Sequence, residues 1–174
     1  DSSFNENTPY NPSSPYALSK ASLDRHLKLM HKEKGFPVIF TRSANIYGQG
    51  QQLYRIIPKT ILSVRAGQKL ILNGGGKSTR SFVHIEDVID ATLLLARKAD
   101  SGTYWHITTE KQLMIKELVA IICDLLGVSY ESTVTVGKER IGNDGNYSLS
   151  SKKLREEFSW ECKIGLRDGV TSTI

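Results

Sequence analysis

Cysteine is scarce in this sequence: Cys123 and Cys162 are the only two, far apart in 174 residues. They form no disulfide framework, which points to a reducing compartment, so a cytoplasmic protein is expected. Cys123 lies in an apolar helical pattern and reads as a small core residue. No apolar stretch approaches the ~18 residues that a membrane-spanning helix needs, and no signal-peptide pattern or initiating Met is seen, so no membrane contact is expected. Runs of basic residues are lacking too. The net charge of +5 is modest. Alone it suits an anionic small ligand as well as nucleic acid, and without a basic run the small ligand is the expectation.

Several chemical motifs are also missing. His26, His31, His84 and His106 do not fall at metal-ligand spacings with the cysteines, so no metal site is expected and they read as surface or second-layer residues. No Gly-x-Ser-x-Gly elbow occurs. Gly74-Gly75-Gly76-Lys77 lacks the P-loop spacing and reads as a hairpin turn. There is no Gly-x-Gly-x-x-Gly dinucleotide loop either.

What is present is an ordinary globular composition, 39% hydrophobic and 24% charged, in a length that fits one domain or slightly more. The most informative stretch is Ser14-Pro15-Tyr16-Ala17-Leu18-Ser19-Lys20. Ser13 or Ser14 can cap a helix that has Pro15 in its first turn and Gly35 as its stop. Tyr16 and Lys20 are then one turn apart on one face. An ammonium and a helix N-terminus beside a phenol favour the phenolate, so Tyr16 is a candidate acid/base and Lys20 its partner. With seven tyrosines and lysine at about one position in twelve, chance alone gives roughly half of one such pair, so the rest of the chain must add weight.

The periodicity predicts a first helix to about Lys34, its apolar stripe being Tyr16, Leu23, Leu27 and Met30. A buried strand follows over 36–42, then a turn over 43–48. Further helices are predicted over 56–66, 85–98, 115–126 and 151–158, with a last one from near Leu166. Strands are predicted over 69–72, 79–84 and 103–107, and extended pieces over 134–136 and 147–149. Helix followed by buried strand indicates an α/β sheet, whose ligands gather at strand carboxyl ends. That brings Ser43 to Gly48 beside Tyr16. Asn45 could bond a ligand there or simply form a turn. Arg80, ahead of an apolar strand, could meet a phosphate or a carboxylate.

Taken together, Asn7 to Ser22, Thr41-Arg42-Ser43-Ala44-Asn45-Ile46-Tyr47-Gly48, Ile57-Pro58, the stretch from Gly74 to Asp87, and Arg140 resemble the extended short-chain dehydrogenase/reductases. Among these the chain is most similar to the dTDP-glucose 4,6-dehydratases and the related nucleotide-sugar epimerases. The resemblance implies an NAD(P)-binding Rossmann-like fold, seen here as its C-terminal part, plus a small α/β substrate-binding domain. Residues 1–48 would complete the NAD-binding domain. Residues 49–174 would mainly bind the nucleotide sugar, with 81–98 packing back on the Rossmann sheet. The glycine-rich N-terminal half is expected to precede Asp1.

The same resemblance implies site roles and partners. Tyr16 and Lys20 would be catalytic and, with Ser43, would contact the cofactor NAD. Asn45 would meet the sugar, and Arg55, Arg80 and Arg140 the diphosphate of a nucleotide-diphosphate sugar. The reaction implied is a lyase reaction: oxidation at C4, loss of water across C5 and C6, and return of hydride. The acid/base pair for elimination would lie upstream. A 4-epimerase of the same fold is the alternative, and a non-catalytic nucleotide-sugar module is another. The chain alone is expected to be inactive and marginally stable, because strands 36–42 and 103–107 would lack parallel neighbours. A homodimer through the first helix is implied for the whole protein. Departures from the family occur at Gln49 to Tyr54, Ile141 to Asp144 and Asn146, which leaves the base and the sugar open.

Overall fold

The computed structural model describes residues 3–138 and 148–174. In chain order the elements are α1 (Pro15–Lys34), β1 (Phe40–Ser43), β2 (Asn45–Tyr47), α2 (Ile56–Arg65), β3 (Leu70–Asn73), β4 (Thr79–Arg80), β5 (Phe82–His84) and α3 (Ile85–Lys98). They continue with β6 (Tyr104–Ile107), β7 (Leu113–Met114), α4 (Ile115–Leu125), α5 (Tyr130–Thr133), β8 (Val134–Gly137), α6 (Lys152–Phe158) and α7 (Leu166–Thr173). The α/β expectation holds. Three strand pairs are parallel, β1 with β6, β2 with β5 and β3 with β8, while β4 and β7 are antiparallel.

Helix α1 has the predicted ends. The Ser14 hydroxyl accepts from the Ala17 N–H at 3.2 Å, Pro15 sits in the first turn, and Gly35 closes the helix in the left-handed region at φ 64°. The predicted stripe is only half right. Leu27 and Met30 are partly buried, but Tyr16 and Leu23 are exposed, and Ala21 is the residue that α1 buries. The helix therefore touches the body through Ala21, Leu27 and Met30, leaving Leu18, Leu23 and Leu29 outside.

The predicted 36–42 strand starts late and runs on into the predicted turn, and the predicted 79–84 strand is split in two. The Ala44 N–H donates to Ile107 at 3.0 Å, while the next amide, Asn45, donates to Ser81 at 3.1 Å. One strand thus changes partner between adjacent residues, so that β1 follows β6 and β2 follows β5. Asn45 is therefore a strand residue and the predicted turn over 43–48 is corrected. Residues 36–39 stay outside the strand: Pro37 has no N–H to donate, and the Val38 N–H donates to the Ser101 hydroxyl at 3.0 Å. The 79–84 strand breaks at Ser81 in the same way. Strands β1 and β6, expected to lack parallel neighbours, pair with each other.

Gly74–Gly76 is a 3-10 turn and not a hairpin, because β3 and β4 on its two sides pair with β8 and β7. His84 and His106 are corrected as well: both are buried, at 5% and 4% exposure. Cys123 is in the core as expected, and burial pushes its thiol pKa up. Both cysteines are free.

Three apolar clusters hold these layers. Val88, Ala91 and Leu95 of α3 pack with Trp105 and Ile107 of β6, with Leu154 of α6 closing the layer. Ile57 and Ile61 of α2 meet Leu118 and Ile122 of α4 over Tyr47 and Phe82. Val119 and Cys123, one position along α4, turn instead to Leu70 and Leu72 of β3. Each fully buried large side chain contributes about 1.5–3 kcal/mol. Helix α4 is thus the wedge that joins β3 to β2 and β5. Among the described residues no helix is long and apolar enough to cross a membrane, and no group of metal-ligating side chains gathers.

Candidate active site

The change of partner at Ala44 and at Ser81 opens a cleft of about 970 Å³ where the strands separate. Residues 43–48 line it in an unbroken run. Tyr16, Ser43, Asn45, Arg55 and Arg80, all expected at the site, line this one cleft. Lys20 does not line it; it stands one turn further along α1. Arg140 lies outside the described residues.

Each side chain is positioned by a local feature. Tyr16 is the second residue of α1, and its side chain is 75% exposed on the cleft side of the capped helix start. Ser43 is the last residue of β1. Asn45 bonds twice to the Ser81 carbonyl, through its backbone N–H and through Nδ2 at 3.2 Å. Arg55 is the N-cap of α2, its guanidinium 5.4 Å from the Tyr54 ring centroid. Arg80 ends β4 and donates to the Thr79 carbonyl at 2.8 Å.

Gly48 follows β2 within this run of cleft residues, at φ 149°. A Cβ there would stand 2.5 Å from Ile85 Cγ2, so only glycine lets β2 turn this close to α3.

The charge is one-sided. Arg55, Lys59 and Arg80 line the cleft, and among the described residues no aspartate or glutamate does. Such a cleft attracts an anion with several acceptor oxygens. Lys59 was missed in the sequence. The signal for it was its place four residues after Arg55, on the same helix face.

Also missed was a cluster that ties α1 to the sheet. Asp24 lies eight residues after Tyr16, on the stripe that carries Lys20. It accepts from the Tyr10 hydroxyl at 3.2 Å and pairs with Arg42, one residue before Ser43. The Arg42 guanidinium also sits 4.9 Å from the Tyr10 ring centroid and 5.2 Å from that of Tyr104. Burial pushes the Tyr10 phenol up to about 12, so it stays a hydrogen-bond donor at neutral pH. The cluster fixes the helix that bears Tyr16 against the strand that bears Ser43.

Known proteins share this fold. The chain is 33% identical to the dTDP-glucose 4,6-dehydratase of Haemophilus influenzae, over 98% of its own length and 54% of that protein's. A dTDP-glucose 4,6-dehydratase of Streptomyces venezuelae, solved with NAD bound, matches with a TM-score of 0.94 at 32% identity, over 99% of this chain and 53% of that one. A UDP-glucose 4-epimerase of Thermotoga maritima matches with a TM-score of 0.85 at 26% identity, over 97% of this chain and 57% of that one. The chain therefore spans about half the length of the relatives it matches, and over that half its architecture is the Rossmann-like one expected from the sequence. The sequence profile of the NAD dependent epimerase/dehydratase family matches residues 1–107, more than half of the chain, and the chain belongs to that family.

Proposed function

We propose that this chain provides the nucleotide-sugar cleft and the tyrosine acid/base of an NAD-dependent nucleotide-sugar 4,6-dehydratase, acting on a dTDP-glucose type of substrate. The observation that carries the reading is the lining of one cleft by Tyr16, Asn45, Arg55 and Arg80 with no carboxylate among the described residues. Similarity to the dehydratases of Haemophilus influenzae and Streptomyces venezuelae supports it.

In this reading residues 1–48 belong to the cofactor domain and 49–174 mainly to the substrate region, with 81–98 returning to the sheet. Parallel pairing of β2 with β5 and the packing of α3 on β6 support that division. Bound NAD supplies the hydride-accepting ring. Tyr16 and Ser43, which share the cleft, fit a cofactor beside the substrate. Tyr16 takes the proton from the sugar hydroxyl at its phenol oxygen. Lys20, one turn further along α1, holds the cofactor ribose. Asn45 orients the sugar. Arg55 and Arg80 hold the diphosphate, and Arg140 is assigned with them.

An epimerase outcome remains the second reading, favoured by the likeness to the Thermotoga maritima UDP-glucose 4-epimerase. The test is an assay with NAD and dTDP-glucose, run on the chain and on the chain extended by any coding sequence upstream of Asp1. A 4-keto-6-deoxy product is expected from the extended protein, and sugar binding without turnover from the chain alone. Tyr16→Phe should abolish turnover and leave binding intact. Formation of the 4-epimer alone would replace the first reading by the second, and absence of nucleotide-sugar binding would end both. Sedimentation of the same preparations tests a homodimer, which the exposed Leu18, Leu23 and Leu29 of α1 support. The free thiols suit a reducing, cytoplasmic setting, which cell fractionation checks.

A further inference from the structure

We propose that Lys59 is a further residue of the diphosphate site, gripping the diphosphate together with Arg55 from α2 while Arg80 approaches from β4. The inference rests on the reading of the cleft as a nucleotide-sugar site. Lys59 lines the cleft and follows Arg55 by four residues, so both cations rise from the same face of α2.

The charges on this helix are arranged against its own stability. Like charges four residues apart repel by about 0.2–0.5 kcal/mol. Cations near a helix start also oppose the macrodipole, and the first turn of α2 has no acidic residue and no side-chain cap. None of the ion pairs among the described residues includes Arg55 or Lys59. An anion in the cleft removes both penalties. A diphosphate diester carries two negative charges, and a pair of cations on one helix matches them from one side. Arg80 then meets the same group from another element, which sets its orientation.

The experiment is calorimetric titration of the chain with UDP-glucose and with dTDP-glucose, at low and high salt. Lys59→Met should weaken binding by about tenfold at low salt, the equivalent of one charge-assisted contact, and by less at high salt. Lys59→Arg should restore most of the affinity. Lys34→Met, which removes an exposed lysine outside the cleft, should leave it unchanged. If Lys59→Met binds like the parent chain while Arg80→Ala loses binding, Lys59 has no part in the site and the cleft reading stands. If the parent chain binds neither sugar nucleotide, the cleft reading fails and takes this inference with it.

Discussion

Helices α2 and α3 begin in opposite ways. Helix α3 has Glu86 and Asp87 in its first turn and Arg97 and Lys98 in its last, each where the helix dipole favours that sign. The His84 side chain accepts from the Glu86 N–H at 3.4 Å. Asp87, only 3% exposed, also accepts from the N–H groups of Lys163 and Ile164 at 3.0 and 3.2 Å. Helix α2 starts with Arg55, adds Lys59 a turn later, and has no carboxylate and no side-chain cap in its first turn. One helix start is arranged for stability. The other breaks the local rules on the side that faces the cleft, and such breaks gather where a ligand acts.

Two experiments press on this contrast, and a third tests a buried histidine of the sheet. The largest effect is expected from Asp87→Ala, which strips two partly buried amides of their acceptor. The loss should be about 2–4 kcal/mol, or roughly 5–15 °C in Tm, read by thermal or urea unfolding. A change within about 0.5 kcal/mol would mean that α3 owes little to its acidic start.

Next comes Arg55→Asp, which gives α2 the kind of start that α3 has. Stability should rise by about 0.5–1 kcal/mol through the cap and the dipole. Affinity for dTDP-glucose should fall at least about tenfold, the loss of one charge-assisted contact. A variant that gains stability and still binds would show that Arg55 serves neither purpose.

The smallest effect concerns pH. Burial lowers the His106 pKa below its ordinary value, against the opposing pull of Glu6. Below the unfolded histidine pKa the unfolded chain therefore binds more protons than the folded one, and stability must fall as pH drops through that range. Unfolding midpoints at pH 7.5 and pH 5 read this directly, and His106→Gln should flatten the difference. Equal slopes for the two proteins would assign the acid sensitivity elsewhere.

Much of the fold was legible because local chemistry marks it. Ser14, Pro15 and Gly35 bracket α1, and the acidic start of α3 is plain in the sequence. The partner change at Ala44 was not, because whether an amide meets Ile107 or Ser81 is decided by distant strands and leaves no local mark. The same holds for Ser81 and for the burial of His84 and His106. The site was legible as far as its residue types fall in family order: Tyr16, Ser43, Asn45, Arg55 and Arg80 do meet in one cleft. Lys59 escaped because its place depends on which face α2 turns inward. The Tyr10, Asp24 and Arg42 cluster escaped because it joins three separate segments.

The Ser81 carbonyl that receives both donors of Asn45 has a mechanical consequence. Arg80 is the residue just before Ser81, so the parts of the cleft assigned to sugar and to phosphate are joined through adjacent residues of one strand. The separation of their backbones is set by strand register. Under the proposed roles the cleft is a gauge, its backbone setting where the contacts to sugar and to phosphate begin.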